Sequence, residues 1–150
     1  MKEQLGNDLK VWREAVKAAA IDAMAAAPGE YPLAGPLVAS VVYTLYKPVS
    51  APKRKPSWPM GKKNDLDKLL RSTFDSLTAA GVWNDDGQVV EMTRLAKYYT
   101  VSQPGMVLPL AWAQHMFAIA GTKSDILATP GAVIRVASIT ELPNMRDGWM

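Results

Sequence analysis

Between Pro36 and Pro48 the chain alternates. Leu37, Ala39, Val41, Tyr43 and Leu45 fall on one side of an extended segment, and Val38, Ser40, Val42, Thr44 and Tyr46 fall on the other. This pattern predicts a strand with one strongly apolar face, and a fold has to cover that face. A cover lies upstream. Leu5, Leu9, Trp12, Val16, Ala19 and Met24 recur at helical spacing until Pro28 and Gly29 stop the run, so residues 5–27 predict an amphipathic helix.

The remaining elements follow from similar signals. Residues 48–63 carry Pro48, Pro52, Pro56, Pro59 and Gly61, which predicts an extended loop holding Trp58. Trp58 suits stacking on a base or anchoring the loop. Leu66, Leu69, Leu70, Phe74 and Leu77 mark a second helix from Asp65 to Ala80, with Gly81 placed to end it at positive φ. Asn84, Asp85, Asp86 and Gly87 read as a turn, and Gln88–Tyr99 as the next strand. Leu108–Ala120 predicts an apolar helix holding Trp112, His115 and Phe117, and residues 132–139, AVIRVASI, predict a last strand. Helices alternating with strands imply an α/β or α+β layer fold, with helices packed on a small mixed sheet. At 150 residues, 49% of them hydrophobic, one domain over 1–150 with a real core is the expectation. Within it, 47–63 forms the basic loop and 100–131 is read as an insertion.

Composition narrows the chemistry. With no cysteine, disulfides, thiolate zinc sites and a cysteine nucleophile are excluded, and any metal must be held by oxygen or by His115. No stretch of about 18 uninterrupted apolar residues occurs and the first ten residues are polar, so a membrane span and a secretory signal are not expected. A cytoplasmic location fits both observations. The formal charge of +3 is unevenly spread. Lys47, Lys53, Arg54, Lys55, Lys62, Lys63, Lys68 and Arg71 stand against two acids, Asp65 and Asp67, an excess of six positive charges within 25 residues. The rest of the chain has nine basic and twelve acidic residues. A basic segment in an otherwise acidic chain suits a polyanion, or else is a solvated loop.

Asp65 and Asp67 flank Leu66 directly after that loop, and Asp86 follows from the turn beyond the second helix. Residues two apart diverge around a helix but share one side of an extended chain, so both carboxylates face one cation only if Asp65 lies at or before the helix start. Mg²⁺ prefers such oxygen ligands and completes its shell with water and substrate phosphates. The plain alternative is that Asp65 caps the helix, Asp67 answers its positive N-terminal dipole, and Asp-Asp-Gly makes a turn.

The run NDLDKLLRSTFDSLTAAGVWNDDGQVVEM, residues 64–92, resembles the signature of RusA-like Holliday junction resolvases. In that family an Asp-Leu-Asp-Asn motif opens a helix ending in Ala-Gly-hydrophobic-Trp, followed by Asp-Asp and a Gln-Val-Val strand. The spacing fits without a gap. A weaker likeness covers residues 5–99, and AVIRVASI resembles the family's last strand. The resemblance implies a homodimeric endonuclease that recognises four-way DNA junctions and nicks strands of like polarity, with Mg²⁺, or Mn²⁺ in its place, bound by Asp65, Asp67 and Asp86. It implies a role in bacterial or phage DNA recombination and repair. Asp85 ranks below those three, as a turn residue or a support for the ligands. The family's basic catalytic position, usually lysine, falls on Arg71, which clamps phosphate well but exchanges protons poorly. Its competing role is an i,i+4 pair with Asp67. Lys53, Arg54, Lys55, Lys62, Lys63 and Lys68 would grip DNA phosphates.

Three departures accompany the likeness. Lys68 replaces the motif's usual Asn, Arg71 replaces the lysine, and the first helix begins almost at Met1, where the family usually has a strand and a Pro/Asn/Arg-rich loop. The expected fold is thus the family's without its usual first strand. Two rival readings remain: a catalytically weak or inactive junction-binding protein of the same fold, and a structural dimer joined through residues 108–120. His115 and Trp83 read as packing residues.

Overall fold

A computed structural model describes residues 2–27, 29–52, 57–61, 65–100 and 125–139, with residues 2–8 as backbone only. The helix expected over 108–120, His115 within it, and loop residues Lys53, Arg54, Lys55, Lys62 and Lys63 lie outside the described residues. The elements are α1 (Lys2–Ala26), β1 (Leu37–Leu45), α2 (Leu66–Ala80), a single 3₁₀ turn (Asp86–Gln88), β2 (Val89–Tyr99) and β3 (Gly131–Ser138). Two compact units share the chain. One holds Met1–Ala39, Leu69–Met92 and Val136–Met150, and the other holds Ser40–Lys68 and Thr93–Arg135.

The strands form one sheet in the order β2-β1-β3. Just past β2, Thr100 N–H donates to the Leu45 carbonyl at the end of β1 (3.0 Å), so these two strands run the same way. Just past β3, Ile139 N–H donates to the Pro36 carbonyl ahead of β1 (2.9 Å), so β3 runs opposite. The sheet is therefore mixed, and the fold is α+β. Parallel neighbours cannot be joined by a tight turn. The basic loop and α2 make the crossover between β1 and β2.

Being central, β1 is buried more completely than its alternation predicts. Leu37 and Ala39 are buried and Val38 and Ser40 partly so, as expected of one covered face, but Val41, Val42, Tyr43 and Thr44 are all buried. Residues just ahead of β3 cover the second face. Val42 packs with Tyr98 and Ile126, Ala96 joins that cluster, and Thr44 Oγ1 accepts a hydrogen bond from Leu127 N–H (2.9 Å). That hydroxyl satisfies a backbone donor and lets a polar residue sit in the core.

The helices depart from their predicted faces. Among the described side chains of α1 only Val16 is buried, Trp12 and Met24 are half-buried, and Leu9 and Ala19 are exposed. A helix of 25 residues runs about 37 Å, longer than strands of 8–11 residues can cover. On α2 the residues fully buried are Ser72, Thr73, Ser76 and Leu77, whereas Leu66, Leu69, Leu70 and Phe74 are partly covered. Thr73 and Ser76 donate to the carbonyls of Leu69 (2.8 Å) and Ser72 (3.0 Å) on their own helix, so small hydroxyl residues enter the core without orphaned donors. Gly81 ends α2 at φ 84°, as predicted. Among the described residues no helix is long and apolar enough to cross a membrane.

Candidate functional site

The first acidic pair sits at the start of α2. Asp65 is the residue immediately before the helix and Asp67 is exposed in its first turn, the arrangement the spacing required. Asp67 there opposes the unpaired N–H groups of the helix terminus. Lys68 Nζ lies 3.7 Å from Asp65 Oδ2. Both side chains reach solvent, so this pair contributes little to stability. It does place a cation beside a candidate metal ligand.

The second acidic group is a turn anchored in the core. Trp83 is 1% exposed, meets Phe74 edge-on at 5.2 Å and 84°, and donates its indole N–H to Thr78 Oγ1 (2.7 Å). Beside it Leu33 N–H donates to the Val82 carbonyl (2.8 Å), and Leu33 and Trp83 form an isolated parallel bridge. From this base the chain emerges into Asn84, Asp85, Asp86 and Gly87, all exposed. Asp85 caps the 3₁₀ turn, its Oδ1 accepting from Gly87 N–H at 2.9 Å. Asp85 is therefore a turn residue, one of the two roles given it above.

Gln88 closes that turn. Its Oε1 accepts from the backbone N–H groups of Asn84 (3.0 Å) and Asp85 (3.1 Å), and its Nε2 donates to the carbonyls of Leu33 (2.9 Å) and Gly35 (3.1 Å). The sequence reading passed over Gln88. Its signal was local all the same, because Asp85-x-x-Gln88 is a capping-box spacing.

The two carboxyl groups of the turn act on each other. The Gly87 N–H, and then the hydrogen bond from Asp86, hold the Asp85 carboxyl below its ordinary value. Asp86 is raised, first by that hydrogen bond to Asp85, then by loss of solvent and by the negative charges of Asp85 and Asp75. Asp67 and Asp86 are exposed and Asp65 is half-buried, and each carries carboxylate oxygens of the kind a hard metal ion prefers. Among the described residues no group of three or more Asp, Glu or His side chains is gathered as a ready metal cage.

The basic residues divide. Lys68 is exposed, with three quarters of its side chain open to solvent, and Arg71 is exposed on α2. Among the described residues Arg71 has no ion pair, so the competing i,i+4 partnership with Asp67 is not formed and the guanidinium is open to an anion. Lys47, counted above with the basic segment, is instead buried at 4% exposure, two residues past the end of β1.

A family model described as Endodeoxyribonuclease RusA matches residues 5–110 of this chain. The crossover junction endodeoxyribonuclease rusA of Enterobacteria phage 82 is 52% identical to it over 33 residues, which is 22% of this chain and 28% of that protein. Crossover junction endodeoxyribonucleases RusA of Escherichia coli (strain K12) and Shigella sonnei (strain Ss046) match at the same identity and coverage. The matched stretch thus spans just over a quarter of the length of these relatives.

Proposed function

This chain belongs to the RusA endodeoxyribonuclease family, and on that premise we propose that it is a Mg²⁺-dependent endonuclease that resolves four-way DNA junctions by paired nicks. The observation that carries the proposal is the family match over residues 5–110, a span that includes Asp65, Asp67, Arg71 and Asp86. Asp65, Asp67 and Asp86 would hold the metal. Mg²⁺ commonly binds through one or two carboxylates with water and phosphate completing its shell, so the reading needs no preformed protein cage. When bound, the ion supplies Lewis acidity at the scissile phosphate and a water of lowered pKa.

The chain's own residues do the rest. Arg71 stays protonated and donates charge-assisted hydrogen bonds to the phosphate whose charge grows in the transition state. It takes no part in proton transfer. Lys53, Arg54, Lys55, Lys62, Lys63 and Lys68 bind backbone phosphates, which gives affinity without reading base sequence. Junction shape then decides selectivity. Two nicks on strands of like polarity call for two sites related by a two-fold axis, hence a homodimer. Such an enzyme works in the cytoplasm of a bacterium or a phage-infected cell, in DNA recombination and repair.

One observation favours a second reading. The Lys68 ammonium beside Asp65 competes with a metal ion for that carboxylate, which suits a junction-binding protein of weak or no cleavage activity. Asp67→Asn separates the two. For the nuclease, nicking of a synthetic four-way junction in Mg²⁺ falls by about a hundredfold or more in the variant and ceases with chelator, while junction binding persists. Selective binding with no nicking by the unaltered chain supports the second reading, and absence of both binding and nicking rejects the proposal.

A further inference from the structure

We propose that Gln88 is a positioning residue for Asp86, fixing the acidic turn to the chain segment ahead of β1; this rests on the reading of Asp86 as a metal ligand. A glutamine carboxamide has two acceptor lone pairs and two N–H donors. Gln88 uses all four: Asn84 and Asp85 N–H on the oxygen, and the Leu33 and Gly35 carbonyls on the nitrogen.

The placement of these bonds matters more than their number. On one side, the amide oxygen gathers the two backbone N–H groups at the entry of the turn, and Asp85 Oδ1 in turn accepts from Gly87 N–H. Asp86 is thereby bracketed between residues that are themselves tied down. On the other side, the amide nitrogen reaches residues 53 and 55 positions away in sequence, where Leu33 is itself bonded to Val82 and bridged to Trp83. Gly35, one of the carbonyl partners, has φ 75°, a conformation that a side chain would strain. An exposed turn left to itself samples many arrangements, and a carboxylate on it would lose entropy on binding a cation. The clamp removes that freedom before the cation arrives. Partners of this kind behind a ligand typically change metal affinity by roughly ten- to a hundredfold when lost.

The test uses Mn²⁺ as a spectroscopic stand-in for Mg²⁺. Binding to the full chain is followed by the electron paramagnetic resonance signal of the free ion, alongside amide hydrogen exchange at Asn84 and Asp85. Gln88→Met keeps the shape of the side chain and loses all four bonds. Gln88→Glu keeps the two acceptor bonds and loses the two donor bonds, and it carries the test if the methionine variant does not fold. The proposal expects either variant to weaken Mn²⁺ binding about tenfold or more, to speed exchange at Asn84 and Asp85, and to shift Tm by only a few degrees. Wild-type Mn²⁺ affinity in a Gln88 variant whose turn exchanges faster overturns the positioning role and leaves the metal reading intact. Wild-type affinity in Asp86→Asn overturns the metal reading of Asp86, and the proposal for Gln88 falls with it.

Discussion

Arg135 holds Asp125 by two parallel hydrogen bonds, 2.7 and 2.9 Å, with the carboxylate side chain 12% exposed. The hydrogen bond from Arg135 is the main cause that keeps the Asp125 carboxyl below its ordinary value, partly opposed by burial. Folded Asp125 therefore binds protons less well than the unfolded chain does. Its contribution to stability is complete above the unfolded pKa of about 3.9 and is lost as pH falls through the depressed folded value. Arg135→Gln removes that contribution. The gap in urea midpoint between wild type and variant should stay constant from about pH 7 to pH 5 and shrink below about pH 4. A gap independent of pH would contradict this account of the pair. Individual residues differ in how far their sequence neighbours reveal them. Asp65 is legible because its place depends only on where α2 begins. Gln88 is half legible: its capping box is local, whereas its carbonyl partners lie more than fifty residues away. The burial of Lys47 was overlooked because it was counted with the basic segment, although it continues the alternation of Leu37, Ala39, Val41, Tyr43 and Leu45.

Among the elements, α2 teaches most about packing. Its leucines sit at helical spacing and predict the contact face, yet Ser72, Thr73 and Ser76 take the deepest positions. Periodicity locates a helix well and identifies its closest contacts poorly, because small residues let backbones approach and their hydroxyls find carbonyls on the same helix. Ser76→Ala should therefore be nearly neutral, within about 1 kcal/mol, since Ser72 O loses only an additional bond. Ser76→Leu should cost about 1–3 kcal/mol by overpacking, read as a lower urea midpoint at unchanged m. A stabilised leucine variant would mean that this face is loosely packed. Strand β1 carries the complementary lesson. Its alternation was plain and its extent was predicted to within one residue, but the burial of its second face depends on Ile126 and Leu127, which reach it from the far end of the sequence.

At the scale of the molecule, the described α+β fold joins two parallel strands through a segment that holds the basic loop and the first acidic pair, while the second acidic group opens β2. On the proposed function, the metal-binding carboxylates and the phosphate-binding cations come in chain order from one crossover and its exit. The measurement that tests the central claim most directly is a four-way junction labelled on each of its four strands in turn and incubated with the protein and Mg²⁺, beside a linear duplex of the same sequence. Nicks at symmetric positions on two strands of like polarity, with the linear duplex left whole, are the predicted result. Cutting of junction and duplex alike, or cuts on a single strand without a symmetric mate, would contradict it.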